Sequence, residues 1–113
     1  MNKSQHLGFV CGVSKPAVAA SNSNLWTVVG EFCLATNDCA KWLNGYNTGS
    51  RWEGTFPAGG GKAFGTCTGD EGNDIAHWSN EYKAFIRQFA ETQFDAYETA
   101  GVGKCYRILL HIS

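Results

Sequence analysis

No stretch of this 113-residue sequence is long and apolar enough to cross a bilayer, which takes about 20 residues. Charge is scarce and balanced: 9 Lys and Arg face 10 Asp and Glu, for a net −1. A nucleic-acid partner calls for a basic stripe, and none is present. No Cys-x-x-Cys spacing occurs, and His6, His77 and His111 lie far apart, so the patterns of a structural metal site are missing. Cofactor motifs fail on inspection too. Gly59-Gly-Gly-Lys62-Ala63 is not a phosphate loop, because Phe56 stands where the first Gly belongs and Ala63 replaces Ser or Thr. Asp70-Glu-Gly-Asn-Asp74 is not a calcium loop, because Gly72 takes a ligand position and the sixth-position Gly is absent. We therefore expect no metal and no cofactor. With only 2 Pro, rigid linkers are few; 14 Gly imply many turns.

Aromatic residues, by contrast, are plentiful: 7 Phe, 4 Tyr and 4 Trp. They suit a core or stacking on sugar rings, and their number does not choose between the two. The length allows one domain at most. The five cysteines (Cys11, Cys33, Cys39, Cys67, Cys105) leave at least one unpaired. At the N-terminus Lys3, the run Leu7 to Val13 and Ala17-Val-Ala-Ala-Ser21 loosely imitate a signal peptide. The run is short, holds Gly8 and Gly12, and is followed by Lys15, so the signal is unconvincing. The preferred reading makes His6 to Cys11 a short strand.

Leu25 to Gly30 is a compact apolar run that suits a strand covered on both faces. Asn37 or Asp38 can cap a short helix through Leu43, stopped by Gly45. Tyr46 to Asp74 reads as loop, of a length that is usually functional or disordered. The clearest helix follows, with Ser79 as N-cap, Glu81 in the first turn and Gly101 after the end. Its stripe of Tyr82, Phe85, Ile86, Phe89, Ala96 and Tyr97 reads as core packing. Glu31 stands at the C-terminal end of the apolar run, directly after Gly30. Taken alone, that position reads as a surface acid before a catalytic one, because Glu at the end of an apolar strand is common and only site geometry decides.

Four motifs fall in a telling order: Val28-Val-Gly-Glu31, Asp38-Cys-Ala-Lys-Trp-Leu-Asn-Gly45, Arg51-Trp-Glu-Gly54 and Trp78-Ser79, followed by Phe85-Ile-Arg-Gln-Phe89. Together they resemble the fungal exo-β-1,3-glucanases (glucan 1,3-β-glucosidases) of glycoside hydrolase family 5. The resemblance implies a retaining hydrolase that releases terminal β-1,3-linked glucose, with a β-1,3-glucan as partner and an extracellular or cell-wall location. It implies an α/β fold, the (β/α)₈ TIM barrel. That fold takes about 250 residues, so residues 1–103 would hold only its last two to three strands and their helices, a C-terminal portion. Glu31 would be the nucleophile, whose carboxylate attacks the anomeric carbon while a second carboxyl about 5 Å away protonates the leaving oxygen. Asn44 and Arg51 would border the sugar cleft as donors to the glucan; a C-cap and a loop salt bridge explain them equally well. Cys39 and Cys67 bracket the loop and look like the pair that ties it down, worth roughly 3 kcal/mol or somewhat more.

Three departures from the family pattern matter. Phe32 and Cys33 follow Glu31 where the family continues with Trp. The partner acid, from an Asn-Glu pair on an earlier strand, is absent; Asn80-Glu81 opens the long helix and does not replace it. After Gly101-Val-Gly103 the chain reads Lys104-Cys-Tyr-Arg-Ile-Leu-Leu-His-Ile-Ser113 instead of an aromatic strand. Gly103-Lys104-Cys105 can be encoded GGT-AAG-TGC, which contains an intron's consensus start, so residues 104–113 read as translated intron. Half the carboxylate pair being missing, the isolated chain is expected to be inactive and, with uncovered edges and aromatics, poorly soluble. The alternatives are a small secreted glucan-binding protein and a cysteine-containing interaction protein, neither catalytic.

Overall fold

The computed structural model describes residues 2–101. The 104–113 tail and Cys105 lie outside them. Asn2 starts the first helix with a reciprocal capping box: its side chain accepts from Gln5 N at 2.9 Å, and Gln5 Oε1 accepts from Asn2 N at 2.7 Å. Helix α1 (Lys3–Phe9) runs into a π-helical stretch, Val10–Ser14, and then α2 (Lys15–Asn22). Pro16 sits at the start of α2. Its ring and missing N–H disrupt ordinary i→i−4 bonding, and the wider turn absorbs the disruption, with Lys15 N donating to Val10 O. A 3₁₀ turn covers Ile75–His77, and α3 spans Asn80–Ala100. Ser79 Oγ caps α3 by accepting from Tyr82 N at 3.1 Å.

The expected partial (β/α)₈ barrel is not what forms. Among the described residues there is no strand and no sheet, only isolated bridge positions at Val29 and Phe32. A strand is stabilised by its ladder and cross-strand neighbours, and a lone extended segment has neither. The run Leu25 to Gly30 forms no ladder among the described residues beyond the single bridge position at Val29, and Leu25 is 77%, Trp26 91% and Val28 57% exposed. The short strand expected over His6 to Cys11 is likewise replaced by helix, and the helix expected after Asp38 by a chain of turns. Leu43 N donates to Ala40 O and Gly45 N to Trp42 O, both at 3.0 Å. Trp42 has φ 64°, which ends any right-handed helix there.

The chain divides into two units. The first comprises residues 2–34 and 84–101. Val10, Phe32, Phe85, Phe89, Ala96 and Ala100 are buried in it. His6 lies against Phe89 and Phe85, with ring centroids 5.5 and 6.3 Å away. Phe32 meets Phe94 and Tyr97 edge-on at 5.5 and 5.4 Å, and the buried Gln93 donates to Cys33 O at 3.1 Å. Each buried Phe contributes about 2–3 kcal/mol. The exposed Lys15–Asp95 pair adds about 0–1 kcal/mol, so the aromatics hold this unit.

The second unit, Ala35–Lys83, has little regular structure and is held by polar bonds. The Cys39–Cys67 disulfide closes a 28-residue separation. Asn73 Nδ2 donates to Cys39 O at 2.8 Å, Asn37 Nδ2 to Glu71 O at 2.7 Å, and Trp78 Nε1 to Gly72 O at 2.7 Å. Gly54 (φ +70°) brings its backbone against Gly61 O so closely that a Cβ would lie 2.5 Å from it. The long segment read as loop is therefore a bonded knot.

Candidate functional site

Glu31 belongs to the first unit. Phe32 turns inward onto α3, and the alternation of an extended chain turns its neighbour outward; Glu31 is exposed. Cys33 and Cys11 are both exposed free thiols.

Asn44, Arg51 and the disulfide pair belong to the second unit, where they converge on a residue absent from the expected site, Asp38. Its side chain is 17% exposed. Oδ2 accepts from Arg51 N and Asn44 Nδ2, both at 2.8 Å, and Oδ1 accepts from Trp52 N at 3.0 Å. Burial alone would raise the Asp38 pKa. The bonds from Arg51 N, Asn44 and Trp52 N outweigh it and hold the carboxyl below its ordinary value. Asp38 thus caps the turn Arg51–Gly54 from 13 residues away. The residue type suggested a cap, but a cap for its own helix; nothing local identifies the amides it serves.

The Asn44 amide is committed on both sides. Nδ2 donates to Asp38 and, at 3.1 Å, to Gly49 O, while Oδ1 accepts from Arg51 Nη1 at 3.1 Å. Arg51 lies 3.7 Å from Asp38 Oδ2 and its guanidinium sits 4.8 Å over the Phe56 ring, yet its side chain remains 64% exposed. Of these two, Arg51 has N–H groups to spare, and Asn44 orients it. Glu53 Oε1 accepts from Cys67 N at 2.7 Å, fastening the next turn to the disulfide. Beside this knot lies an open groove of about 270 Å³, lined among others by Lys41, Trp42, Asn47, Thr48 and Glu53. Among the described residues no cluster of three His, Cys, Asp or Glu could hold a metal ion, and no helix is long and apolar enough to cross a membrane.

No family model matches the chain. Known proteins do. The chain is 36% identical to a glucan 1,3-beta-glucosidase of Kluyveromyces lactis over 83% of its own length and 21% of the relative's. It is 35% identical to one of Lachancea kluyveri over 91% of itself and 23% of the relative. With the glucan 1,3-beta-glucosidase I/II of Saccharomyces cerevisiae, identity is 40% over 76% of this chain and 20% of that one. The chain thus spans about a fifth of the length of the curated relatives it matches. Over most of its length it resembles yeast glucan 1,3-beta-glucosidases.

Proposed function

We propose that this chain is a segment of a glucan 1,3-beta-glucosidase, a glycoside hydrolase acting on β-1,3-glucan. Identity of 35–40% with proteins of that name, over most of the chain, carries the reading. In it the enzyme is a family 5 hydrolase that works outside the cell or in the wall, by retaining double displacement. Glu31 serves as nucleophile and is regenerated when water cleaves the glucosyl ester. Arg51, with donors to spare, hydrogen-bonds the glucan, and Asn44 sets its direction. The acid that protonates the leaving glucan is not in these 113 residues: Asn80-Glu81 begins α3, where it serves the helix.

The test is a chimera. Residues 24–101 replace the matching segment of the Saccharomyces cerevisiae relative, and glucose release from laminarin is measured. Activity that survives the exchange and falls at least about 10³-fold with Glu31→Gln supports the proposal, that loss being about 4 kcal/mol of transition-state stabilisation. An active chimera indifferent to Glu31→Gln refutes the nucleophile. The isolated chain should release no glucose.

A further inference from the structure

We propose that Trp42 and Tyr46 form a sugar-stacking platform, an accessory subsite for one uncharged pyranose unit beside the groove of the second unit. Three observations converge on it. The two rings lie 5.8 Å apart, inclined at 42°, and face solvent: Trp42 is 56% exposed and Tyr46 76%. Contiguous exposed aromatic surface marks binding sites more often than chance.

The second observation is conformational. Trp42 is held at φ 64°, a region that bulky side chains rarely enter. The Gly45 N to Trp42 O bond closes the turn that holds it there. Strain of this kind persists where surrounding structure enforces it, and it gathers at ligand sites. Its effect is to present the indole outward, with Lys41 Nζ 4.8 Å from the ring centroid.

The third observation is the chemistry of the groove. Lys41, Asn47 and Thr48 offer donors and acceptors at the platform's edge. Asp38 is satisfied by its amides, and Glu53 gives one oxygen to Cys67 N. Lys41 beside two carboxylates that already accept hydrogen bonds gives the groove charges of both signs, which suits a neutral polyhydroxyl ligand better than an ion. About 270 Å³ falls below the range for drug-sized ligands, about 300–1,000 Å³, which suits one ring of a longer chain. The apolar face of a pyranose would lie on the rings while its hydroxyls reach the groove. The choice of β-1,3-linked glucose as that ring rests on the proposed function above.

The experiment is an amide and indole NMR titration of the full chain with laminaritetraose, cellotetraose and maltotetraose. Its four tryptophans (Trp26, Trp42, Trp52, Trp78) give separate indole reporters. Laminaritetraose should move the Trp42 indole and the amides of residues 41–48, leaving the other three indoles in place. Trp42→Gly suits the positive φ and removes the ring; it and Tyr46→Ala should each weaken binding roughly tenfold. Unchanged Arg51 and Trp52 amides certify the fold of each variant. A Trp42 indole that no sugar moves, or a folded Trp42→Gly protein that binds as tightly as before, overturns the platform. Equal response to all three sugars upholds the platform and counts against the β-1,3 assignment. Glu31 is tested by separate chemistry, so either reading can fail without the other.

Discussion

Replacing Asp38 by Asn should loosen the second unit far more than removing the charged residue paired with it. The substitution keeps size and shape, so the loss is electrostatic and directional. Asp38 accepts three bonds through two oxygens, whereas an Asn has one acceptor oxygen. If that oxygen replaces Oδ2, the new NH₂ confronts Trp52 N; if it replaces Oδ1, it confronts both Arg51 N and Asn44 Nδ2. Either way at least one backbone N–H is stranded, at about 1–3 kcal/mol, and the remaining bonds lose their charge assistance. A total of about 2–3 kcal/mol follows. Arg51→Ala removes a 3.7 Å ion pair from a side chain that is 64% exposed, worth at most about 1 kcal/mol.

Hydrogen exchange reads the difference. At neutral pH the Arg51 and Trp52 amides should exchange roughly 30- to 150-fold faster in Asp38→Asn, and less than about fivefold faster in Arg51→Ala. The sign of the pH dependence is fixed by the lowered pKa. A carboxyl depressed in the folded state stabilises fully above its unfolded value of 3.8, and that contribution is lost as pH falls through the folded pKa. The wild-type advantage should therefore fade only in that acid window. Equal protection of the two amides in wild type and Asp38→Asn at neutral pH would refute the account, as would an Arg51→Ala effect as large.

Three further outcomes are expected. Serine at both Cys39 and Cys67 should destabilise the chain by about 3.6 kcal/mol, from the loop entropy of a 28-residue separation, measured by urea unfolding against the oxidised wild type. Ser79→Ala should cost about 1 kcal/mol by removing the acceptor for Tyr82 N, seen as faster exchange in the first turn of α3. His6 is half-buried against Phe85 and Phe89, its buried Nε2 has no partner among the described residues, and desolvation, followed by the amino terminus, lowers its pKa. Its contribution is present above the unfolded value of 6.5 and declines as pH falls through the folded pKa, so His6→Leu should remove that decline in a pH series of thermal unfolding.

What could be read from the sequence is what is local. The cap at Ser79, the 3.6-residue stripe and Gly101 lie within α3 or next to it, and the helix forms where they place it. The N-terminal segment was equally local and still misleading. Gly8, Gly12 and the β-branched Val10 and Val13 argue against helix, while the Asn2-to-Gln5 capping box that starts it is spaced plainly in the sequence. Leu25 to Gly30 has a strand's composition, but a strand needs a neighbour, and pairing is not a property of six residues. Asp38 was visible as a capping residue. Its partners at Arg51 and Trp52 come from the folding of the knot, which no periodicity reports. The abundance of aromatics did not say whether Trp42 lies in a core or faces solvent, and no local pattern reports its left-handed backbone or its exposure.

If Glu31 is the nucleophile, its carboxylate attacks a glucosyl carbon, and covalent trapping tests this most directly. The chimera carrying residues 24–101 would be incubated with a 2-deoxy-2-fluoro-β-glucoside bearing a good leaving group, then digested and mapped by mass spectrometry. A retaining nucleophile keeps the fluorosugar as a stable ester, so the account predicts a single adduct on Glu31, absent from Glu31→Gln. An adduct on any other carboxylate, with Glu31 unmodified, would contradict it.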